Sequence, residues 1–177
     1  MNTLKKKVLA ICGSTRSHSS NLQIINAIRN LSFGDLDIEV YDKLNQLPYF
    51  NPDLDHEPAD MLVAELRNKI TEVDGVLICT PEYVFSLPGS LKNAIEWTVS
   101  TTIFSDKPVA LITASGLGEK AHESLQLIMK TVGARWNEDA QLLISGARTK
   151  VNGAGEITDA ATLIKIKLLI SSFMQSM

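Results

Sequence analysis

Three stretches of the chain hold residue types from which a site for a phosphorylated, partly flat ligand can be built. The first is Gly13-Ser14-Thr15-Arg16-Ser17-His18-Ser19-Ser20-Asn21, in which four serines, a threonine and an asparagine surround one arginine. Short hydrogen-bond donors beside a fixed guanidinium are what an anion with several oxygens requires. The stretch follows an apolar run and leads into a helical one. Its backbone N–H groups would therefore sit at the positive end of a helix dipole, which also favours an anion. Ser and Asn equally serve as helix caps, but capping uses one or two such residues, and here there are more. A phosphate-binding P-loop needs Gly-Lys followed by Ser or Thr, and that sequence is absent. A thiol phosphatase would need its cysteine inside the anion loop and an arginine at position 18; Cys12 ends the preceding apolar run, and position 18 is His18.

The second stretch, Pro81-Glu82-Tyr83-Val84-Phe85-Ser86-Leu87-Pro88-Gly89, is stiffened by two prolines that remove backbone donors. Tyr83 and Phe85 can provide a wall for a planar ring or pack over a helix end, and the residue types alone leave both open. The third, Ala114-Ser115-Gly116-Leu117-Gly118, has a Gly-x-Gly-x-x-Ala spacing that matches a dinucleotide fingerprint superficially. That fingerprint belongs on the first strand-to-helix turn, which here is the serine-rich stretch. Glu138, at the right distance for its ribose acid, stands in a loop-like Trp136-Asn137-Glu138 context. His18, His56 and His122 are far apart and lack metal-ligand spacing, and no Ser/His/Asp set stands out for nucleophilic catalysis.

Alternating short apolar runs and helical periodicities must position these stretches. Strands are expected at Lys7–Cys12, Asp37–Tyr41, Gly75–Cys79, Pro108–Thr113 and Gln141–Ile144. Helices are expected at Asn21–Leu31, from Pro58 onward with Met61, Leu62, Leu66 and Ile70 inward, from Pro88-Gly89 through Leu91, Ala94, Ile95 and Val99, at Glu119–Val132, and at Asp159–Met174. Asp42–Glu57 reads as a long loop. Strand and helix alternate, and the strands lack polar alternation, so the fold class is α/β with a five-stranded parallel sheet covered on both faces. Ligands of such sheets bind beyond the carboxyl ends of the strands, which is where the three stretches fall.

The 177 residues fit one domain spanning 1–177, with no repeat, low-complexity segment or linker. A net charge of −3 and pI near 5.6 argue against nucleic-acid binding, and Lys5-Lys6-Lys7 reads as the solvated start of a strand. Two cysteines, Cys12 and Cys79, lie singly in apolar runs, which fits reduced thiols in a cytoplasmic protein. Val8–Cys12 is too short for a signal segment and no stretch reaches transmembrane length, so no membrane partner is expected.

Taken together, the first two stretches resemble signatures of the NAD(P)H-dependent FMN reductase family, which includes quinone, chromate and azo-dye reductases. Gly-Ser-x-Arg-x-x-Ser-x-Asn is met by Gly13, Ser14, Arg16, Ser19 and Asn21. The second signature is met from Pro81 to Trp97, including Pro88-Gly89 and Leu91-Lys92-Asn93-Ala94-Ile95. Val84 stands where the family has Asn, and Phe85 where it has a small residue, which makes the ring surroundings more apolar. The resemblance implies a flavodoxin-like three-layer sandwich with strand order 2-1-3-4-5. It implies that Ser14, Arg16, Ser19, Ser20 and Asn21 hold the FMN phosphate, and that Pro81, Glu82, Tyr83 and Val84 line the isoalloxazine. Ser115, Gly116 and Gly118 would meet the ring edge, and Lys92 and Asn93 would fix the loop and helix start. It further implies NADPH or NADH as hydride donor, no side-chain acid or base, and ping-pong transfer to a small acceptor such as a quinone, a flavin, an azo compound or a metal oxyanion. A homodimer or homotetramer is implied as well, with Trp97 and Ile103-Phe104 as contact or core residues. The rival readings are an electron carrier reduced by a partner protein and a non-redox flavin-binding module.

Overall fold

The computed structural model describes residues 4–177. The apolar runs become β1 (Lys6–Cys12), β2 (Leu36–Tyr41), β3 (Gly75–Thr80), β4 (Val109–Ser115) and β5 (Gln141–Ser145), in one parallel sheet of order β2-β1-β3-β4-β5. The helices are α1 (Ser20–Leu31), α2 (Met61–Glu72), α3 (Gly89–Glu96), α4 (Glu119–Thr131) and α5 (Ala160–Ser176). Side chains alternate across each strand, and both faces of the sheet are covered. Val8, Ala10, Cys12, Leu77, Cys79, Ala110 and Ile112 pack in the layer with α1 and α5. Leu9, Ile11, Val76, Ile78, Val109 and Leu111 pack in the opposite layer with α2, α3 and α4. The strand order is the flavodoxin-like one that the resemblance implies, and the three layers are those expected from the apolar strand pattern. The edge strand β2 departs from it, because Asp37 and Glu39 alternate outward to solvent.

Helix frames differ from the periodic reading at two places. Asp60, not Pro58, starts α2: its carboxylate accepts from the Leu62 N–H at 2.9 Å. The buried face is therefore Val63, Leu66, Arg67 and Ile70, and Met61 points to solvent. The third helix stops at Glu96, which leaves Val99 exposed beyond it. Trp97 and Phe104 are both core residues, each 2% exposed, so core packing accounts for them. The Trp97 indole N–H donates to the Pro48 carbonyl at 2.8 Å, and Asn93 bonds both Pro48 O and Phe50 N, at 2.9 and 2.7 Å. These bonds pin the long loop after β2 against α3.

The same loop is held by a buried cation. Arg67 reaches from α2 to the Trp97 carbonyl through Nε at 2.8 Å, and through Nη2 to Asp55 at 2.6 Å and Ser100 at 3.2 Å. Every partner is an acceptor for a guanidinium donor, so the charge is both neutralised and hydrogen-bonded, the condition for burying it. Burial pushes the Asp55 carboxyl up, but the bonds to Arg67 and Ser100 and the Arg67 charge together hold it below the usual carboxylate range.

Candidate functional site

The carboxyl ends of β1, β3, β4 and β5 open into one cavity of about 670 Å³, within the roughly 300–1,000 Å³ of small-molecule sites. Its first wall is the turn from β1 into α1. Gly13 is required at the start of this turn, because a Cβ there would lie 2.2 Å from Thr80 Oγ1 and 2.7 Å from Thr80 Cβ. The Gly13 N–H also donates to the Cys79 carbonyl at 2.9 Å, which fastens the turn to β3. Ser19 caps α1 by accepting from the Asn21 N–H at 3.2 Å. Asn21 is itself buried, and its side chain is spent on structure: Nδ2 donates to the Ala114 carbonyl at 3.1 Å, and Oδ1 accepts from the Cys79 thiol at 3.3 Å. Ser14 Oγ accepts from the Arg16 N–H at 3.4 Å, which leaves its O–H to donate into the cavity. The Arg16 side chain is solvent-exposed and has no acidic partner among the described residues.

Cys12 and Cys79 are register partners on β1 and β3, directly beneath this wall. Burial pushes both thiols up; at Cys12 bonds to Ser14 and Ser19 oppose the rise, and at Cys79 the neighbouring Cys12 adds to it. Both are therefore protonated packing groups at neutral pH, not nucleophiles.

The second wall follows β3. The Glu82 carboxylate accepts from the Ala121 N–H at 3.0 Å, in the first turn of α4, where an acceptor meets a free donor and a favourable dipole. Tyr83 and Ser86 exchange both backbone hydrogen bonds, at 3.0 and 3.1 Å, across a two-residue hairpin turn. Its central residues, Val84 and Phe85, have φ of 51° and 56°, the type I′ geometry that favours Asn-Gly. Both side chains project to solvent.

The third wall follows β4 and is joined to a fourth that follows β5. Gly146 N–H donates to the Gly116 carbonyl at 3.0 Å, and Ser145 Oγ donates to the Leu117 carbonyl at 2.9 Å. A Cβ at Gly116 would meet nothing within 4 Å, so the missing side chain leaves the backbone open to a ligand. Gly118 instead serves the fold: its φ is 107°, and a Cβ would come within 2.8 Å of Leu143 Cδ1. Near this wall His122 Nδ1 lies 3.0 Å from Thr113 Oγ1, and burial holds its imidazole below the usual range.

Of the expected site residues, Ser14, Arg16, Ser19, Ser20, Asn21, Pro81, Glu82, Tyr83, Ser115 and Gly116 come together around the cavity. Val84 and Gly118 do not line it. His18 and Gln23 do, and so does the segment from Gly146 to Gly153, which sequence reasoning missed. The signal for that segment was its position: it follows the fifth strand at the same end of the sheet. Among the described residues no cluster of His, Cys, Asp or Glu could hold a metal ion, and no helix is long and apolar enough to cross a membrane.

Residues 6–149 match the family model described as NADPH-dependent FMN reductase. The chain is 31% identical to the NADH-dependent flavin reductase subunit 2 of Lactobacillus johnsonii, with 96% of each chain covered. It is 27% identical to the quinone reductase of Escherichia coli strain K12, covering 96% of this chain and 94% of that protein. Among solved structures, the flavoenzyme NAD(P)H:(acceptor) oxidoreductase FerB from Paracoccus denitrificans superposes with a TM-score of 0.78 at 27% identity, with 96% of each chain covered.

Proposed function

The chain belongs to the NADPH-dependent FMN reductase family, an oxidoreductase with FMN and NAD(P)H as cofactors, and from that premise we propose that it passes electrons from NAD(P)H to quinone-like or flavin-like small acceptors by a ping-pong scheme. The observation that carries this reading is one cavity in which a hydroxyl-rich helix start with Arg16 faces an open glycine edge and a tyrosine wall. The donor set fits FMN. Ser14 and Ser20 offer hydroxyls, Arg16 offers an unpaired cation, and the start of α1 offers backbone N–H groups to the phosphate. Asn21 and Ser19 support that phosphate by holding the turn in shape. Pro81, Glu82 and Tyr83 bound the ring, while Ser115 and Gly116 present backbone to its polar edge. Bound FMN would supply the redox chemistry, accepting hydride from the nicotinamide and releasing electrons to the acceptor.

The protein's contribution is position and electrostatics, and no side chain in the cavity is needed as acid or base. Donor and acceptor would use the same mouth beside Tyr83 in turn, which gives parallel double-reciprocal plots; intersecting plots would refute the ping-pong scheme. We further propose a cytoplasmic homodimer or homotetramer. Its contacts would not come from Trp97 or Phe104, which the core already buries. The binding test pairs Ser14→Ala and Arg16→Ala against FMN and riboflavin, followed by flavin fluorescence quenching. Loss of a charge-assisted phosphate contact is worth about 1.5–3 kcal/mol, so FMN affinity falls at least tenfold and riboflavin affinity stays level. Equal retention of both flavins by wild type and variants would remove the basis for the reading.

A further inference from the structure

The wall that sequence reasoning missed carries a second cation. Arg148 sits in the middle of the 3-10 turn Ala147–Thr149, directly after β5, and lines the same cavity as Arg16. Its backbone is fixed. Gly146 opens the turn with a φ of 65° and donates to the Gly116 carbonyl, while the Thr149 N–H and hydroxyl both return to the Gly146 carbonyl, at 3.1 and 2.9 Å. Beyond the turn the chain passes over the first turn of α1, where a Cβ on Gly155 would lie 3.3 Å from Gln23 Oε1. Arg148 thereby lies on the wall that follows β5, joined to the β4 loop through the Gly146–Gly116 bond.

The charges around this cavity do not balance. Arg16 and Arg148 line it, and Glu82 is the one carboxylate that does so among the described residues. Glu82 is already engaged with the Ala121 N–H. Neither Arg16 nor Arg148 forms an ion pair among the described residues. A phosphate monoester carries about −1.5 to −2 charge at neutral pH, more than one guanidinium offsets. We propose that Arg148 is a second guanidinium for a phosphate monoester, a binding residue that closes the site from the β5 side. The planar fork suits two phosphate oxygens at once.

This inference rests on the FMN reading above, and two phosphate monoesters are available to it: the 5′-phosphate of FMN and the 2′-phosphate of NADPH. The test uses Arg148→Gln and Arg148→Lys, with apoprotein titrated against FMN and riboflavin, and the FMN-loaded protein assayed with NADPH and NADH. Arg148 makes no side-chain bond within the described chain, so both variants should unfold at the wild-type temperature. If the phosphate belongs to FMN, Arg148→Gln weakens FMN about tenfold, leaves riboflavin within twofold, and Arg148→Lys recovers part of the loss. If it belongs to NADPH, flavin affinities hold and the KM for NADPH rises about tenfold while that for NADH does not. Should Arg148→Gln fail to fold, Arg148→Lys carries the same comparisons through loss of the fork alone. Unchanged values in both arms overturn the proposal. A wild-type protein that binds FMN no better than riboflavin instead overturns the parent reading, whatever the variants do.

Discussion

Val84 can be replaced to make the protein more stable, and the amount follows from its geometry. At a φ of 51° this β-branched residue occupies the left-handed region, where an L-residue is disfavoured by about 1–2 kcal/mol and a branched one is a true outlier. Nothing in packing offsets this, since the side chain is 95% exposed. Asparagine tolerates the conformation, so Val84→Asn should recover about 1 kcal/mol. Phe85 is in the same state at 56° and is largely exposed. The double change Val84→Asn with Phe85→Gly should therefore recover about 2 kcal/mol, reduced by the extra chain entropy of glycine. For 177 residues, each kcal/mol moves the melting temperature by about 2–4 °C. Urea and thermal unfolding of the apoprotein measure the gain. Val84→Ala is the control, because alanine still meets the left-handed penalty and should gain much less than asparagine. A midpoint lowered by Val84→Asn, or an equal gain from alanine, would show that the turn is not the source of strain. A confirmed gain would mark the hairpin as a place where stability has been set aside at the mouth of the site.

Three further outcomes are expected. Arg67→Met should destabilise the protein by about 3–5 kcal/mol in urea unfolding, because it leaves the Asp55 carboxylate buried without its partner; a loss below 1 kcal/mol would show that water reaches the pair. The folded-state pKa of Asp55 is depressed, so its contribution is present above the unfolded value near 3.9 and is lost as pH falls through the lower, folded one. Wild type should accordingly lose more stability than Asp55→Asn below about pH 4 in acid titrations followed by circular dichroism. Finally, Cys12 and Cys79 should resist a disulfide reagent in the native protein near pH 7.5 and both react once urea unfolds it, since burial raises both thiols; rapid native labelling would contradict their protonated, enclosed state.

The layers of the fold were legible because buried parallel strands leave a continuous apolar signature, as in Gly75–Thr80, where every residue is buried. Helix faces were less so. Taking Pro58 as the start of the second helix turned Met61 inward on paper, whereas the Asp60 cap puts it outside. The burial of Arg67 is not legible in the sequence, since its partner Asp55 lies in an irregular loop and its acceptors at Trp97 and Ser100 are distant along the chain. The walls after β1, β3 and β4 announced themselves by unusual residues. Gly146 to Gly153 carries few, and its place in the site depends on strand order and a backbone bond to Gly116, neither of which local composition encodes. Asn21 was found at the right place, but its side chain braces two strand ends and does not point freely at a ligand.

The close approach of Gly13 to Thr80 has an implication for redesign. With no room for even a methyl between the first turn and the Thr80 side chain at the end of β3, any side chain at position 13 would have to displace Thr80, so the floor beneath this turn tolerates no added bulk. The Val84-Phe85 tip lies outside the cavity wall and packs against nothing that limits it. Attempts to admit bulkier acceptors should therefore reshape that tip and leave the floor alone.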